Sequence, residues 1–196
     1  MKVLGIAGSP RREGNTDLLL SQVMAGAQSV GAQTKTIILC ELNIHPCRHC
    51  DGCLETGKCV IQDDMQWIYK DLRDADRLAI ASPMFFMGLS AQTKMMIDRC
   101  QCLWAMKYVL KLPVATNSSG ERKGLFIATG GTQYPNLFQP SLVTIKSLFS
   151  VIEVKLVGEL TFRGIDEKGA ITGHPTALQD AFAAGRDLVD QSIMRP

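Results

Sequence analysis

Residues 3–16, VLGIAGSPRREGNT, limit what this chain can become more than any other stretch. An apolar run of Val3, Leu4, Ile6 and Ala7 breaks at Gly8-Ser9-Pro10, and helical spacing begins at Asn15-Thr16. The pattern predicts a first strand, a tight polar loop and the N-terminus of a helix. A helix start directs unpaired N–H groups and the positive end of its dipole into such a loop. With the hydroxyls of Ser9 and Thr16, the amide of Asn15 and the guanidinium groups of Arg11 and Arg12, the loop suits a phosphate group. Taken alone, the stretch also fits an ordinary strand-to-helix turn.

The kind of phosphate is narrowed by what the loop lacks. A Walker A loop needs G-x-x-x-x-G-K-[ST], but five residues separate Gly8 from Gly14 and no lysine follows. A dinucleotide fingerprint needs G-x-G-x-x-G, which Gly5-x-x-Gly8 does not supply. A loop of Ser, Asn and Thr without the Walker lysine suits a single phosphomonoester such as that of FMN. GSPRREGNT resembles the phosphate loop of the flavodoxin-like NAD(P)H-dependent FMN reductases, a group that includes the iron–sulfur flavoproteins.

Along the rest of the chain, strands alternate with helices. Helices are expected over residues 16–31, from Asp63-Asp64 to about residue 75, and over 90–104, 137–152 and 175–191, the fourth interrupted by Pro140. Strands are expected over residues 33–40, 77–81, 123–129 and 154–162. Residues 105–122 read as irregular, with a turn at TNSSGE. Five such alternations without repeats or linkers give an open parallel α/β sheet in one domain, residues 1–196. Ligands bind outside the carboxyl ends of such strands, where strand order reverses. The resemblance implies a flavodoxin-like three-layer sandwich with strand order 2-1-3-4-5, which would bring the loops after strands one, three and four to one crevice.

Two of those loops suit a flavin ring. In SPMFFMG, Pro83, Met84, Phe85, Phe86, Met87 and Gly88 form an apolar loop that is costly unless something covers it. Its aromatics offer a flat wall and Gly88 a close backbone approach; a core plug or a dimer contact is the plainer alternative. In TGGT, Thr129, Gly130 and Gly131 offer unobstructed N–H groups for a pyrimidine edge, or simply a turn. The stretch AQTKMMIDRC, residues 91–100, also resembles the family, and Lys94 and Asp98 are spaced as a helical ion pair.

Four of the seven cysteines fall within residues 47–59, in a cysteine-rich loop over residues 44–61. Cys47, Cys50, Cys53 and Cys59 form C-x2-C-x2-C-x5-C, a spacing that can wrap a cubane within one loop. It matches the compact motif of the iron–sulfur flavoproteins, and that resemblance implies a [4Fe–4S] cluster. A structural loop, a zinc site or redox-active thiols are the alternatives. Cys40, Cys100 and Cys102 read as buried structural thiols.

A formal charge of +2 is too small to argue for nucleic acid or an anionic membrane. No apolar run approaches a membrane span, and MKVLGIAGSP has no signal-peptide core, so a cytoplasmic protein is expected. No acid–base dyad stands out, which suits redox chemistry carried by FMN. The resemblance implies an oxidoreductase fed by NAD(P)H or a reduced carrier, with a small-molecule or protein redox partner and a homodimer or homotetramer. A non-catalytic flavodoxin-type carrier is the rival reading.

Overall fold

All five strands run parallel, in the order β2-β1-β3-β4-β5. They are β1 (Lys2–Ala7), β2 (Gln33–Ile38), β3 (Arg77–Pro83), β4 (Lys123–Gly130) and β5 (Lys155–Arg163) in a computed structural model that describes residues 1–116 and 120–190. The helices are α1 (Asn15–Ser29), α2 (Met65–Asp74), α3 (Ala91–Arg99), α4 (Gln101–Trp104), α5 (Gln139–Val151) and α6 (Ala177–Val189). Period-two alternation sends Leu4, Ile6, Leu78, Ile80 and Phe126 to a core shared with α2, α3 and α5. Val3, Ala7, Ala79, Ala81 and Ile127 face the opposite core, with α1 and α6. The result is the flavodoxin-like three-layer arrangement, and reversal of strand order at β1 and β3 opens a crevice at their carboxyl ends.

The two faces pack differently. On the α1–α6 face the sheet offers small residues, and the helices approach so closely that a Cβ on Gly185 would stand 2.0 Å from the Val23 carbonyl. A Cβ on Gly26 would stand 2.0 Å from the Phe182 carbonyl, so both positions need glycine for the crossing itself. At the opposite, amino end of the sheet, buried arginines collect the C-termini of helices. Arg122 donates to the carbonyls of Leu72 (2.5 Å), Ala75 (2.7 Å) and Ile152 (2.5 Å), at the ends of α2 and α5. Arg77 donates to Leu188, near the end of α6, at 2.7 Å. A cation at a helix C-terminus satisfies orphan carbonyls and complements the dipole. The amino ends of the strands are thereby tied to helix C-termini, while the crevice opens at their carboxyl ends.

Several boundaries differ from expectation. The third helix is not continuous over 90–104: it ends at Arg99, resumes as α4, and passes into a π-type turn over Ala105–Val109. Residues Ala105–Val109 are therefore helical where irregular chain was expected, because Ala105 and Met106 are buried and Met106 packs under Gly57 of the cysteine loop. Pro140 does not interrupt the fourth helix; it lies in the first turn of α5, where its missing N–H costs nothing. β2 stops at Ile38 and turns through Leu39–Glu41. The centre of the expected TNSSGE turn and Gln191 at the end of the expected closing helix lie outside the described residues.

Candidate functional site: a phosphate-and-ring crevice beside a cysteine recess

The loop after β1 is held by its own short bonds. Ser9, almost fully buried, accepts from the Arg11 N–H at 3.0 Å and donates from Oγ to the Arg11 carbonyl at 2.8 Å. Gly14 then enters α1 with no side chain capping the helix, so the first N–H groups are left for a ligand. Ser9, Arg11, Gly14, Asn15 and Thr16 line one side of a crevice. Pro83, Met84 and Phe85 after β3, and Thr129, Gly130 and Gly131 after β4, line the rest. Hydrogen bonding of Met84 N–H to the Thr129 carbonyl at 2.9 Å ties the second and third loops together. Expectation from strand order is met: three separate loops share one cavity.

Other predicted residues lie elsewhere. Arg12 turns away to Glu41 (3.1 Å) and lines a hollow with Asp17 and Ile38 on the far side of the α1 start. Phe86 and Met87 do not form a flat wall with Phe85. Phe85 and Gly88 bond to each other in both directions (3.0 and 2.9 Å), so Phe86 and Met87 occupy the two centre positions of a tight turn with φ of +48° and +66°. Bulky residues adopt that region at a cost. The turn sends Phe86 fully into solvent while Met87 packs back on the core. Asn15 lines the crevice but also braces it: its Nδ2 donates to the Glu167 carbonyl (2.8 Å) and its Oδ1 accepts from the Ile171 N–H (3.1 Å).

Sequence reasoning missed Ile165 and Asp166, which close the crevice from the loop after β5. The signal was present in the polar, glycine-punctuated residues 163–174, where Gly164 and Gly169 take positive φ. Arg11 Nη2 donates to the Asp166 carbonyl at 3.4 Å, and a Cβ on Gly131 would collide with the Asp166 side chain at 2.9 Å. A Cβ on Gly14 would press on Ser9 Oγ at 3.2 Å, and one on Gly130 would meet Leu137 at 2.7 Å. These glycines let the crevice walls pack closely on one another, and the uncapped start of α1 beside Ser9, Thr16 and Arg11 supplies donors that suit the phosphate of FMN.

Cys47, Cys50, Cys53 and Cys59 line a second recess, with Arg99 and the buried Cys102 in its walls. His49 and Asp51 take positive φ (+49° and +57°) as the loop wraps, and Gly57 does so (+68°) where it turns back toward Cys59. Burial pushes the Cys53 thiol up, and the neighbouring Cys59, Cys47 and Cys50 thiols add to that rise. Among the described residues, no three His, Cys, Asp or Glu side chains are gathered so as to hold a single metal ion. The four thiols line one hollow. Burial likewise pushes the Cys102 thiol up to about 11. Cys100 and Cys102 are buried, as expected; Lys94 and Asp98 pair at 2.7 Å on an exposed helix face.

The charge beneath this recess is the feature least visible in the sequence. Arg99 is buried and holds Asp63 through two bonds, Nη1 to Oδ2 at 2.5 Å and Nη2 to Oδ1 at 3.1 Å. Burial pushes the Asp63 carboxyl up, but Arg99 and the N–H groups of His45 and Met65 outweigh it and hold the group below the usual carboxylate range. Burial also opposes the charge on Arg99, and its bond to Asp63 more than restores it.

Fold and crevice together define a flavodoxin-like protein: a parallel sheet with a crevice formed by four loops at its switch point. Residues 1–137 match the NADPH-dependent FMN reductase family, and the chain belongs to that family. It is similar to an iron–sulfur flavoprotein of Methanocaldococcus jannaschii, 45% identical over 103 residues that make up 53% of each chain. A second iron–sulfur flavoprotein of the same organism is 31% identical over 163 residues, 83% of this chain and 77% of that one. The chain thus spans about half the length of the first of these relatives and about three quarters of the second. Among solved structures, an NAD(P)H:quinone oxidoreductase from Methanothermobacter marburgensis superposes with a TM-score of 0.70. It is 18% identical, with 96% of this chain and 98% of that chain covered, and the likeness is one of fold. No helix among the described residues is long and apolar enough to cross a membrane.

Proposed function

We propose that this protein is a cytoplasmic FMN-dependent oxidoreductase, built as one domain over residues 1–196. It moves electrons between NAD(P)H, or a reduced carrier, and a small-molecule or protein acceptor. The observation that carries the reading is the convergence of the loops after β1, β3, β4 and β5 on one crevice. Ser9, Asn15, Thr16 and the first N–H groups of α1 bind the FMN phosphate, with Arg11 adding positive charge. Pro83, Met84 and Phe85 support the ring, and Thr129, Gly130 and Gly131 offer N–H groups to its polar edge. The turn of Phe86, Met87 and Gly88 stands at the open side, where a substrate or partner approaches. Arg12 adds to the positive field at the loop without touching the crevice.

FMN, when bound, supplies hydride acceptance and one-electron transfer. The protein's residues hold and orient it, exclude water from its apolar side and hydrogen-bond its pyrimidine edge. Cys47, Cys50, Cys53 and Cys59 hold a [4Fe–4S] cluster in the second recess, a reading supported by the gathering of the four thiols around one hollow and by the similarity to iron–sulfur flavoproteins. Exposed Phe86, Trp104 and Tyr108 are consistent with a homodimer or homotetramer.

Rapid mixing with NADH and NADPH tests the activity. The flavin is expected to bleach within seconds under anaerobic conditions with at least one of the two. A flavin bleached by dithionite but by neither nucleotide would favour the flavodoxin-type carrier instead.

A further inference from the structure

Arg99 is an expensive residue to bury. It closes α3, and its side chain is wholly shielded from water. Of its five N–H donors, those on Nη1 reach Asp63 and the His45 carbonyl (2.8 Å). Nη2 reaches Asp63, the Ile61 carbonyl (3.4 Å) and Cys59 Sγ (3.4 Å). Nε is buried with no partner at all. A buried donor left unsatisfied is costly, and a buried cation more so unless its charge is matched.

Asp63 pairs with that charge from outside the recess. Its carboxylate also accepts from the N–H groups of His45 (2.9 Å) and Met65 (3.1 Å), and His45 Nδ1 stands 3.5 Å away. The guanidinium lines the recess and touches the sulfur of Cys59 directly, whereas Asp63 does not line it, so the pair presents its positive end to the thiols. The other charged groups lining the recess, Arg48, His49 and Asp51, are exposed and screened by solvent. Arg99 is the one buried cation in the recess wall among the described residues.

We propose that Arg99 is the fixed counter-charge of the cysteine recess, a positioning residue that holds Cys59 as a ligand and favours the reduced state of the cluster, with Asp63 orienting its guanidinium. The inference rests on the reading that the four thiolates hold a [4Fe–4S] cluster. Four thiolates around an oxidised cubane carry two negative charges in total. One electron from a reductant such as dithionite makes three, with no bond formed or broken and no proton moved. A cation at the recess wall stabilises the reduced state more than the oxidised one, and net charge near the cluster is among the terms that set its potential.

The test is a mediated redox titration of the anaerobically purified holoprotein, followed by the electron paramagnetic resonance signal of the reduced cluster. Iron and sulfide are measured on the same samples. The double variant D63N/R99Q removes both charges and keeps hydrogen-bonding side chains at both positions. Its equilibrium constant for electron uptake is expected to fall about tenfold, which is about 59 mV for one electron. R99K keeps the charge and is expected to recover most of that loss. D63N alone leaves the guanidinium uncompensated and is expected to shift the constant the other way, which keeps the proposal falsifiable if the double variant does not fold. Unchanged potentials in folded, iron-loaded D63N or D63N/R99Q would overturn the inference alone. Wild-type protein without iron and sulfide would overturn the cluster reading and the inference with it.

Discussion

Replacing Gly8 by alanine is expected to abolish retention of FMN and to destabilise the whole chain. Gly8 follows β1 directly and opens the loop before α1, and three elements meet on it. Its N–H donates to the Ala81 carbonyl of β3 at 2.8 Å, and its carbonyl accepts from Ser90 Oγ at 2.5 Å. Ser90 in turn caps α3 by accepting from the Thr93 N–H. A Cβ at position 8 would stand 1.9 Å from Thr93 Oγ1 and 2.8 Å from the Ala81 carbonyl. Thr93 and Ser90 are fully buried and bonded to each other, and Ala81 is sheet backbone, so no flexible side chain can move aside. Relief requires the loop and the α3 start to separate, at a cost of about 2–4 kcal/mol. Because we propose that this loop binds the FMN phosphate, FMN affinity should fall at least roughly a hundredfold, or about 2.7 kcal/mol. Fluorescence titration with FMN and thermal unfolding of apoprotein read the two effects separately. A G8A protein that binds FMN like wild type would mean the loop does not depend on this close approach.

Replacing Arg122 by methionine is expected to lower stability by about 4 kcal/mol, and Tm by on the order of 10 °C. Methionine keeps much of the side-chain volume, so packing loss is small. What is lost is the donor set that reaches the carbonyls of Leu72, Ala75 and Ile152, and with it the cation at the C-termini of α2 and α5. Three buried carbonyls then lack partners, at about 1–3 kcal/mol each before partial relaxation. The crevice lies at the opposite end of the sheet, so FMN affinity measured below the transition should stay within about threefold, or about 0.7 kcal/mol. Unfolding by heat and by urea, with FMN titration at low temperature, separates stability from binding. An unchanged Tm would show that water can replace the guanidinium at that end.

How much of this was readable from the chain depends on the range of the interaction. The β1–loop–α1 unit was legible because its signals are local: a run of apolar residues, a glycine break and helix-start chemistry within residues 3–16. The alternation of strands and helices was legible for the same reason, whereas the strand order came from the resemblance. Pro140 misled because one proline can either break a helix or open it, and only the position of the first turn decides. Arg12 and Arg11 are chemically alike in sequence. Their separation follows from Glu41, brought beside Arg12 by β2, and from the Asp166 carbonyl, brought to Arg11 by the loop after β5. Phe86 was read as part of a wall because an apolar run does not reveal a two-residue turn with positive φ. Buried Arg77, Arg99 and Arg122 were invisible for a deeper reason. A charged residue is buried only when partners gather around it, and theirs come from 30 or more residues away in most cases. The cysteine motif announced itself by spacing, but Arg99 and Cys102 in the same recess did not.

The most direct measurement is the absorption spectrum of protein purified without oxygen, with flavin, iron and acid-labile sulfide determined on the same sample. The account predicts about one FMN per chain, together with the broad visible absorption of a cubane that dithionite bleaches, and iron and sulfide in equal amounts near four per chain. Flavin without iron would leave the crevice intact and contradict the reading of Cys47, Cys50, Cys53 and Cys59 as cluster ligands. Protein that carries no flavin and does not bind added FMN would contradict the central claim.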